Sequence, residues 1–222
     1  MPRLAIVAAL EREVRPLVKS WRITEKEYDG RRFRFFENGD IVVVCGGIGA
    51  VAARRASEAV IAIFDPKVLC SAGFAGALDS RLKVGDLIRP STVINAGDSS
   101  RTVVDGGEGV LVSFGSVASP AQKRKLRESY GAEAVDMEAA TVARAAEVRG
   151  KLFTAVKAVS DEMDFEFPAM ERFVDAEGEF SQGRFACYAA IRPWLWPRVT
   201  RLALNSSRAS RALCAYLGTI TA

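Results

Sequence analysis

The sequence predicts an α/β protein in which helices cover both faces of a central twisted sheet, mixed but mostly parallel. Segments typical of strands alternate with segments typical of helices over most of the chain. The strand candidates are continuous apolar runs, which indicates strands that are buried on both faces. A length of 222 residues is sufficient for one such domain, so we expect residues 1–222 to form a single unit.

Each element has its own local signal. Apolar, β-branched runs predict the strands, and the turn Asn38-Gly39-Asp40 joins two of them. Apolar residues at helical spacing follow Gly49, Asp65-Pro66 ends that helix, and Pro120 opens a basic one. The predicted strands are, in chain order, 4–9, 28–37, 41–45, 68–71, 86–94, 109–114 and 152–160. The predicted helices begin near 11 and 50 and span 120–130 and 138–148.

The composition excludes several classes of catalytic site. The chain contains no histidine, which removes Ser-His-Asp hydrolysis, Cys-His proteolysis and histidine zinc sites, and leaves carboxylates as the main acid–base groups. The four cysteines are widely spaced without a Cys-x-x-Cys pair, which favours free thiols in a reducing, cytoplasmic compartment. The net charge of +4 is too small to indicate a nucleic-acid partner. We expect neither a signal peptide nor a membrane span.

Small or acidic residues follow four of the predicted strands. Glu13 comes after the first strand, the glycine cluster 46–49 after the third, Ser71 and Gly73 end the fourth, and Asp161 follows the last. Because ligands of α/β sheets bind outside the carboxyl ends of the strands, we expect these groups to share one rim. The pattern predicts an acid-rich active site, to which Glu138 at the start of a helix adds a further carboxylate.

Each of these motifs also has a simpler interpretation. Gly47-Ile48-Gly49 fits a loose dinucleotide-binding fingerprint, but no acid follows the next strand. A tight turn that allows close packing is therefore favoured, and a backbone approach to a sugar or phosphate is a third option. Asp161 can be a helix N-cap, Glu138 a first-turn acid that complements a helix dipole, and Glu13 a solvated helix residue.

Six short motifs occur in an order that resembles one protein family. They are Ala8-Ala9-Leu10-Glu11-Arg12-Glu13-Val14, Gly47-Ile48-Gly49-x-Val51-Ala52-Ala53, Ser71-Ala72-Gly73-x-Ala75-Gly76, Lys83-Val84-Gly85-Asp86, Val135-Asp136-Met137-Glu138-Ala139 and Ser160-Asp161-x-x-Asp164. This order resembles the purine nucleoside phosphorylase and methylthioadenosine/adenosylhomocysteine nucleosidase superfamily. The resemblance implies a three-layer phosphorylase-like α/β fold and cleavage of the N-glycosidic bond of a purine nucleoside.

The resemblance also implies roles for the residues on the base and ribose sides. Asp161 would donate a proton to purine N7 as the glycosidic bond breaks, and Ser160 would steer it. Glu138 would hold the ribose hydroxyls and face the positive charge that develops on the sugar. Met137 would lie beneath the ribose.

The same resemblance implies how the nucleophile is handled. Glu13 would position or deprotonate the attacking water, and Ser71 and Gly73 would line the ribose and nucleophile side. Phosphorylases of this family hold phosphate with an arginine where this chain has Val68 or Leu69. This departure, together with the negative charge of Glu13, favours water over phosphate.

Other departures concern the remaining contacts of the substrate. Lys157 stands where the nucleosidases carry an arginine, and with Arg12 or Arg15 it is a candidate source of positive charge for phosphate. The aromatic segment that stacks on the purine is replaced by 116–122. Because 95–114 is much shorter than in the family, a more open 5′ pocket is implied.

The C-terminal segment 180–222 is basic, with six arginines and no acidic residue. Several arginines share one helical face, and Trp194 and Trp196 precede them. A terminal helix packed on the sheet is the first interpretation, and contact with a membrane surface is the alternative. The segment and the shortened loop resemble the hopanoid-associated phosphorylase branch, which implies a substrate with a large lipid at the 5′ carbon of adenosine.

Together these observations predict a nucleosidase that releases adenine from a 5′-modified adenosine. Phosphorolysis of a lipid-linked adenosine such as adenosylhopane, with inorganic phosphate as co-substrate, is one alternative. A non-catalytic module that binds a purine nucleoside is another. The resemblance implies a homodimer, and no metal or organic cofactor is expected.

Overall fold

The computed structural model describes residues 3–166, 173, 178 and 181–221. The strands are Leu4–Ala8 (β1), Arg22–Tyr28 (β2), Arg31–Asn38 (β3), Ile41–Cys45 (β4), Val68–Ala77 (β5), Leu87–Ile88 (β6), Thr92–Asn95 (β7), Arg101–Val103 (β8), Val110–Ser113 (β9), Ala134–Asp136 (β10) and Leu152–Asp161 (β11). The helices are Glu11–Val18 (α1), Ala50–Phe64 (α2), Pro120–Tyr130 (α3), Ala139–Val148 (α4), Gln182–Ala190 (α5) and Trp196–Thr221 (α6). A short 3-10 turn, Pro193–Leu195, precedes α6.

These strands form one mixed sheet. Nine of them follow the order β2-β3-β4-β1-β5-β10-β9-β7-β8, while β11 pairs with β5 and β6. Pairing is parallel where β1 contacts β4 and β5, where β5 contacts β11, and where β9 contacts β7 and β10. The antiparallel pairs are β2–β3, β3–β4, β7–β8, β5–β10 and β6–β11. The predicted α/β class with a mixed sheet is therefore confirmed.

Helices cover both faces of the central strands. In β1, Ala5 and Val7 pack with α2 and α4 on one face. Ile6 and Ala8 pack with α1 and α6 on the other face. Because both faces are covered, successive residues of the strand are buried, which explains the continuous apolar runs in the sequence.

The strands differ from the sequence prediction in several places, and β8 and β10 have no counterpart in it. The predicted end of the fourth strand at Ser71 is wrong, because β5 continues to Ala77 and pairs with β11 along this length. The segment 86–94 contains two short strands, β6 and β7, since Pro90 between them has no backbone N–H to donate. The segment of β2 has no apolar run, because its position at the edge of the sheet leaves most of its side chains exposed.

The C-terminal segment packs on the sheet through α6, as its first interpretation predicts. Leu202, Ala209, Leu213 and Leu217 are buried, and the last three belong to the core on the α1 face. Arg201 on the outer side of the helix pairs with Glu162 at 3.3 Å. Within the described ranges, no helix combines the length and apolarity needed to cross a bilayer.

We expect the packing of α6 to contribute strongly to stability. Leu213→Ala should lower the free energy of unfolding by about 2–5 kcal/mol, because a fully buried leucine is replaced by a cavity. Leu204 lies on the same helix but is 58% exposed, so Leu204→Ala should change the free energy of unfolding by less than about 0.5 kcal/mol. Urea unfolding followed by circular dichroism measures both. Equal effects of the two substitutions would contradict the packing of α6 on the sheet.

Candidate active site

A cavity of about 140 Å³ lies where the first turn of α1 meets the ends of β5, β10 and β11. Five of the seven predicted site residues line it: Glu13, Met137, Glu138, Ser160 and Asp161. The cavity wall also contains Phe74, Lys123 and the segment 116–118. The expectation that groups from separate strand ends share one rim is thus met for these residues.

The end of β11 presents Asp161 to the cavity through a local irregularity of the strand. Val159 pairs with Ala75 and Asp161 pairs with Gly76, so that Ser160 is an extra residue in a β-bulge. Adjacent side chains of a regular strand point to opposite faces, but here Ser160 Oγ donates to Asp161 Oδ1 at 2.7 Å. Asp161 is therefore held by strand geometry, and a helix N-cap role does not describe it.

The second carboxylate oxygen of Asp161 contacts a lysine from α3. Lys123 Nζ lies 2.5 Å from Asp161 Oδ2 and also donates to the Glu162 carbonyl at 2.8 Å. Gly76 makes room for this contact, since a Cβ there would lie 2.8 Å from Asp161 Oδ2 and 3.2 Å from Lys123 Cε. Sequence reasoning did not identify Lys123, because three other cations surround it in the basic helix α3.

Glu13 lies in the first turn of α1 and is only 5% exposed, so the solvated-residue interpretation is wrong. Its Oε2 accepts a hydrogen bond from the Leu10 amide at 3.4 Å. From α6, Ser210 Oγ and Cys214 Sγ donate to the Glu13 carbonyl at 3.0 and 3.4 Å. Burial raises the pKa of the Glu13 carboxyl, although the nearby charge of Lys157 acts in the opposite direction. A buried carboxyl with a raised pKa is suited to accept a proton from water.

Glu138 precedes α4, but its carboxylate reaches across to α2. Oε1 accepts from the Gly49 amide at 2.7 Å, and Oε2 accepts from the Met137 amide at 3.2 Å. Burial, reinforced by the negative charge of Asp136, raises the pKa of Glu138 to about 7. Glu138 is therefore more than a first-turn acid of its own helix.

The glycine cluster serves both packing and the site. A Cβ at Gly46 would lie 2.6 Å from Ala56 Cβ of α2, so this glycine allows the helix to pack closely. Gly49, with φ of 91°, is the N-cap of α2 and donates to Glu138. These two uses favour the tight-turn interpretation over a dinucleotide-binding one.

Lys157 and Asp136 form a buried ion pair that the sequence prediction did not include. Lys157 Nζ lies 2.8 Å from Asp136 Oδ2. Asp136 also accepts from Ser113 Oγ at 2.6 Å and from the Ala139 amide at 2.8 Å. Burial tends to lower the pKa of Lys157, but Asp136, Glu138 and Glu13 together raise it above its ordinary value. A lysine within the apolar run of β11 was the signal that could have revealed this pair.

Ser71 and Gly73, which the sequence predicts at the ribose and nucleophile side of the site, differ in their position relative to the cavity. Ser71 lies within β5, fully buried between Val7 and Ala155, and does not line the cavity. In the described part of the chain its Oγ has no hydrogen-bond partner. Gly73 adjoins the site, since a Cβ there would lie 2.9 Å from Glu13 Oε2. The binding roles of Ser71 and Gly73 remain predictions.

The site thus brings two kinds of acidic group to one cavity. Asp161 lines the cavity and accepts a hydrogen bond on each carboxylate oxygen, so a proton that it receives from a neighbouring donor can be passed on to a ligand. Glu13 and Glu138 are buried carboxylates that can stabilise a developing positive charge or activate water. No group of three potential metal ligands lies together among the described residues.

Comparison with known proteins yields one family and several similar folds. The model of the family described as the phosphorylase superfamily matches residues 3–114 and 107–186. A 5′-methylthioadenosine/S-adenosylhomocysteine nucleosidase of Staphylococcus aureus (strain JH9) is 27% identical over 207 residues, covering 73% of this chain and 90% of the relative.

Two solved structures show the same fold at low sequence identity. The native futalosine hydrolase of Helicobacter pylori strain 26695 has a TM-score of 0.74 at 18% identity, with 99% of this chain and 97% of that chain covered. A mutant of Helicobacter pylori MTAN, with 5′-methylthioadenosine in the active site, has a TM-score of 0.69 at 18% identity, with 99% of each chain covered.

The raised pKa of Glu138 makes a prediction about stability. Because folding raises this pKa from 4.5 to about 7, the unfolded chain loses the proton of Glu138 at lower pH than the folded protein does. Glu138 therefore lowers the free energy of unfolding progressively as the pH rises from about 4.5 to about 7, fully above this range and not at all below it. Glu138→Gln should therefore raise the free energy of unfolding by about 1–3 kcal/mol near pH 8.5 and change it little near pH 4. The expected rise in Tm is about 2–4 °C per kcal/mol.

Thermal unfolding at the two pH values measures this difference. Glu147→Gln is the control, since Glu147 is exposed on the same helix. A Glu138→Gln variant that is less stable than the wild type near pH 8.5 would contradict the assigned pKa shift.

Proposed function

The chain belongs to the phosphorylase superfamily, and we propose that it uses water to cleave the N-glycosidic bond of a 5′-modified adenosine, with release of adenine. The observation that carries this proposal is one cavity in which a bulge-held Asp161 faces the buried carboxylates Glu13 and Glu138. The names of the nucleosidase relatives support a methylthioadenosine-like substrate class.

The base leaves once it is protonated. Adenine is a poor leaving group as an anion, so Asp161 donates a proton to N7 while the electron pair of the C1′–N9 bond moves to the base. Ser160 keeps the carboxyl in place through its hydrogen bond to Oδ1. Proton donation by a positioned acid contributes about 10²–10⁴-fold to the rate.

The sugar that remains carries positive charge at C1′. Glu138, fixed by the amides of Gly49 and Met137, accepts hydrogen bonds from the ribose hydroxyls and stabilises this charge. Glu13 takes a proton from water as the water oxygen bonds to C1′. The products are adenine and the 5-substituted ribose.

The charges around the cavity support water over phosphate. Lys157 is already paired with Asp136, and Glu13 and Glu138 add negative charge beside it. A phosphate dianion would enter a cavity lined by more carboxylates than cations, namely Glu13, Asp136, Glu138 and Asp161 against Arg12 and Lys123. Lys157 therefore acts as a counter-ion for these carboxylates.

A second candidate substrate is an adenosine with a large apolar 5′ group, such as adenosylhopane. A groove of about 840 Å³ lies between α1 and α6, and Arg12 and Phe74 line both this groove and the cavity. Apolar side chains form much of its wall, including Val199 and Leu202. The groove favours an extended apolar group on the substrate, and phosphorolysis remains the alternative reaction for it.

Measuring adenine release tests the proposal against its alternatives. Methylthioadenosine, adenosylhomocysteine and an adenosyl lipid are each incubated with the enzyme, with and without phosphate. Release without phosphate supports a nucleosidase. Dependence on phosphate with ribose-1-phosphate as product would establish phosphorolysis, and no release from any substrate would support a binding module.

A homodimer is part of this proposal, and analytical ultracentrifugation measures the oligomeric state.

The role of Asp161 is tested by replacing its carboxyl with an amide. We expect Asp161→Asn to lower kcat by about 10²–10⁴-fold, because an amide cannot deliver the proton. Adenine affinity, measured by calorimetry, should change little. The control is Asp164→Asn, since the Asp164 side chain is 88% exposed. Near-normal turnover of Asp161→Asn would refute the assignment.

Contact of α6 with a membrane is tested by replacing two exposed residues, one just before this helix and one within it. Trp194 is 71% exposed, and Arg208 lies on the outer side of the helix. At low salt, Trp194→Ala combined with Arg208→Gln should weaken binding to anionic liposomes by about 1 kcal/mol or more. Added salt should weaken the binding of the wild type to the same liposomes. Arg149→Gln is the control. A wild type that does not sediment with liposomes would leave only the packing role of α6.

A further inference from the structure

Lys123 is the buried member of an otherwise exposed basic helix. Of the cations of α3, Arg124 and Lys125 are exposed and Arg127 is partly exposed, whereas the Lys123 side chain is 1% exposed. Removing an ammonium group from water is costly, and buried ion pairs add little net stability. The position of Lys123 therefore calls for a role other than stability.

The contacts of Lys123 connect it to the candidate acid. Its Nζ lies 2.5 Å from Asp161 Oδ2 and 2.8 Å from the Glu162 carbonyl, and it lines the cavity. Ser160 Oγ donates a hydrogen bond to the other carboxylate oxygen, Oδ1. In this geometry Lys123 is the group from which Asp161 can receive a proton directly.

We propose that Lys123 is a positioning residue that stores the proton which Asp161 delivers to the base. The proposal rests on the proposed function, because it assigns the source of the proton in that reaction. It explains how a carboxylate paired with a cation can still act as an acid.

In the proposed step the proton moves from Lys123 through Asp161 to the base. In the free enzyme the pair consists of an ammonium and a carboxylate. When the nucleoside excludes water from the cavity, the charged pair is disfavoured and the proton moves from Nζ to Oδ2. Asp161 then gives it to N7, and the C1′–N9 electron pair moves to the base. Glu13 takes a proton from the attacking water and returns it through solvent to the neutral Lys123 amine.

Other charged groups around the pair are already engaged with one another. Glu162 Oε2 pairs with Arg201 of α6, and Asp136 pairs with Lys157. The other charged side chains that line the same cavity are Arg12, Glu13, Asp136 and Glu138. Lys123 is the cation that pairs with the Asp161 carboxylate, through Oδ2.

The proposal predicts a particular pH dependence. In the proposed route Asp161 receives its proton from Nζ of Lys123, which lies 2.5 Å from Oδ2. Without Lys123 the carboxylate must take this proton from solvent. Because protons in solvent become scarcer as the pH rises, the activity of a variant without Lys123 should fall more steeply towards alkaline pH than that of the wild type.

The test is the pH profile of kcat/KM for adenine release by the wild type and Lys123→Met. We expect the alkaline limb of the variant to move to lower pH, with a loss near pH 9 that exceeds the loss near pH 6 by about 10²-fold. Lys125→Met is the control, since Lys125 is exposed on the same helix. Parallel profiles of Lys123→Met and the wild type would overturn the proposal.

A second variant separates proton storage from charge. Lys123→Arg keeps the cation, but a guanidinium does not release its proton in proteins, so we expect a folded protein with low activity at every pH. A normal profile for Lys123→Arg would overturn the proposal. Ethylamine should restore activity to Lys123→Ala, whereas failure of this rescue in a folded variant would count against proton storage. A wild type that releases no adenine would instead refute the proposed function, and the role of Lys123 with it.

Discussion

The buried ion pair between Lys157 and Asp136 is the interaction on which the active site depends. Without a cation at this position, the carboxylates of Asp136, Glu138 and Glu13 would repel one another in a region with little water. Asp136 in turn caps the first turn of α4 through the Ala139 amide. A single lysine within a parallel strand thus allows three acids to converge beside one cavity.

Much of the fold could be predicted because its causes are local. Continuous apolar runs identified the central strands, and Pro120 and Gly131 delimit α3 at the predicted bounds. The strand ends also located Asp161 and Glu13, since a polar group that follows a buried strand stands out in the sequence, and the start of a predicted helix located Glu138. The extension of β5 past Ser71 was missed because five of its six residues are alanine or glycine, which are depleted in strands.

The partners of the acids could not be predicted, because they depend on contacts between distant segments. Lys123 and Asp161 are separated by 38 positions, and Ser210 and Glu13 by 197. In the sequence Lys123 is one of several cations in a basic helix. Only the bulge in β11 and the absence of a side chain at Gly76 reveal why this one turns inward.

The hydrogen bonds from Ser210 and Cys214 to the Glu13 carbonyl have a consequence for how the protein matures during synthesis. The helix that supplies them, α6, ends the described chain, whereas the glutamate that it supports lies near the beginning. Until this last helix leaves the ribosome, the apolar face formed by Ile6, Ala8 and Val14 has no cover. Nascent chains therefore cannot complete the base of the site until α6 has been synthesised.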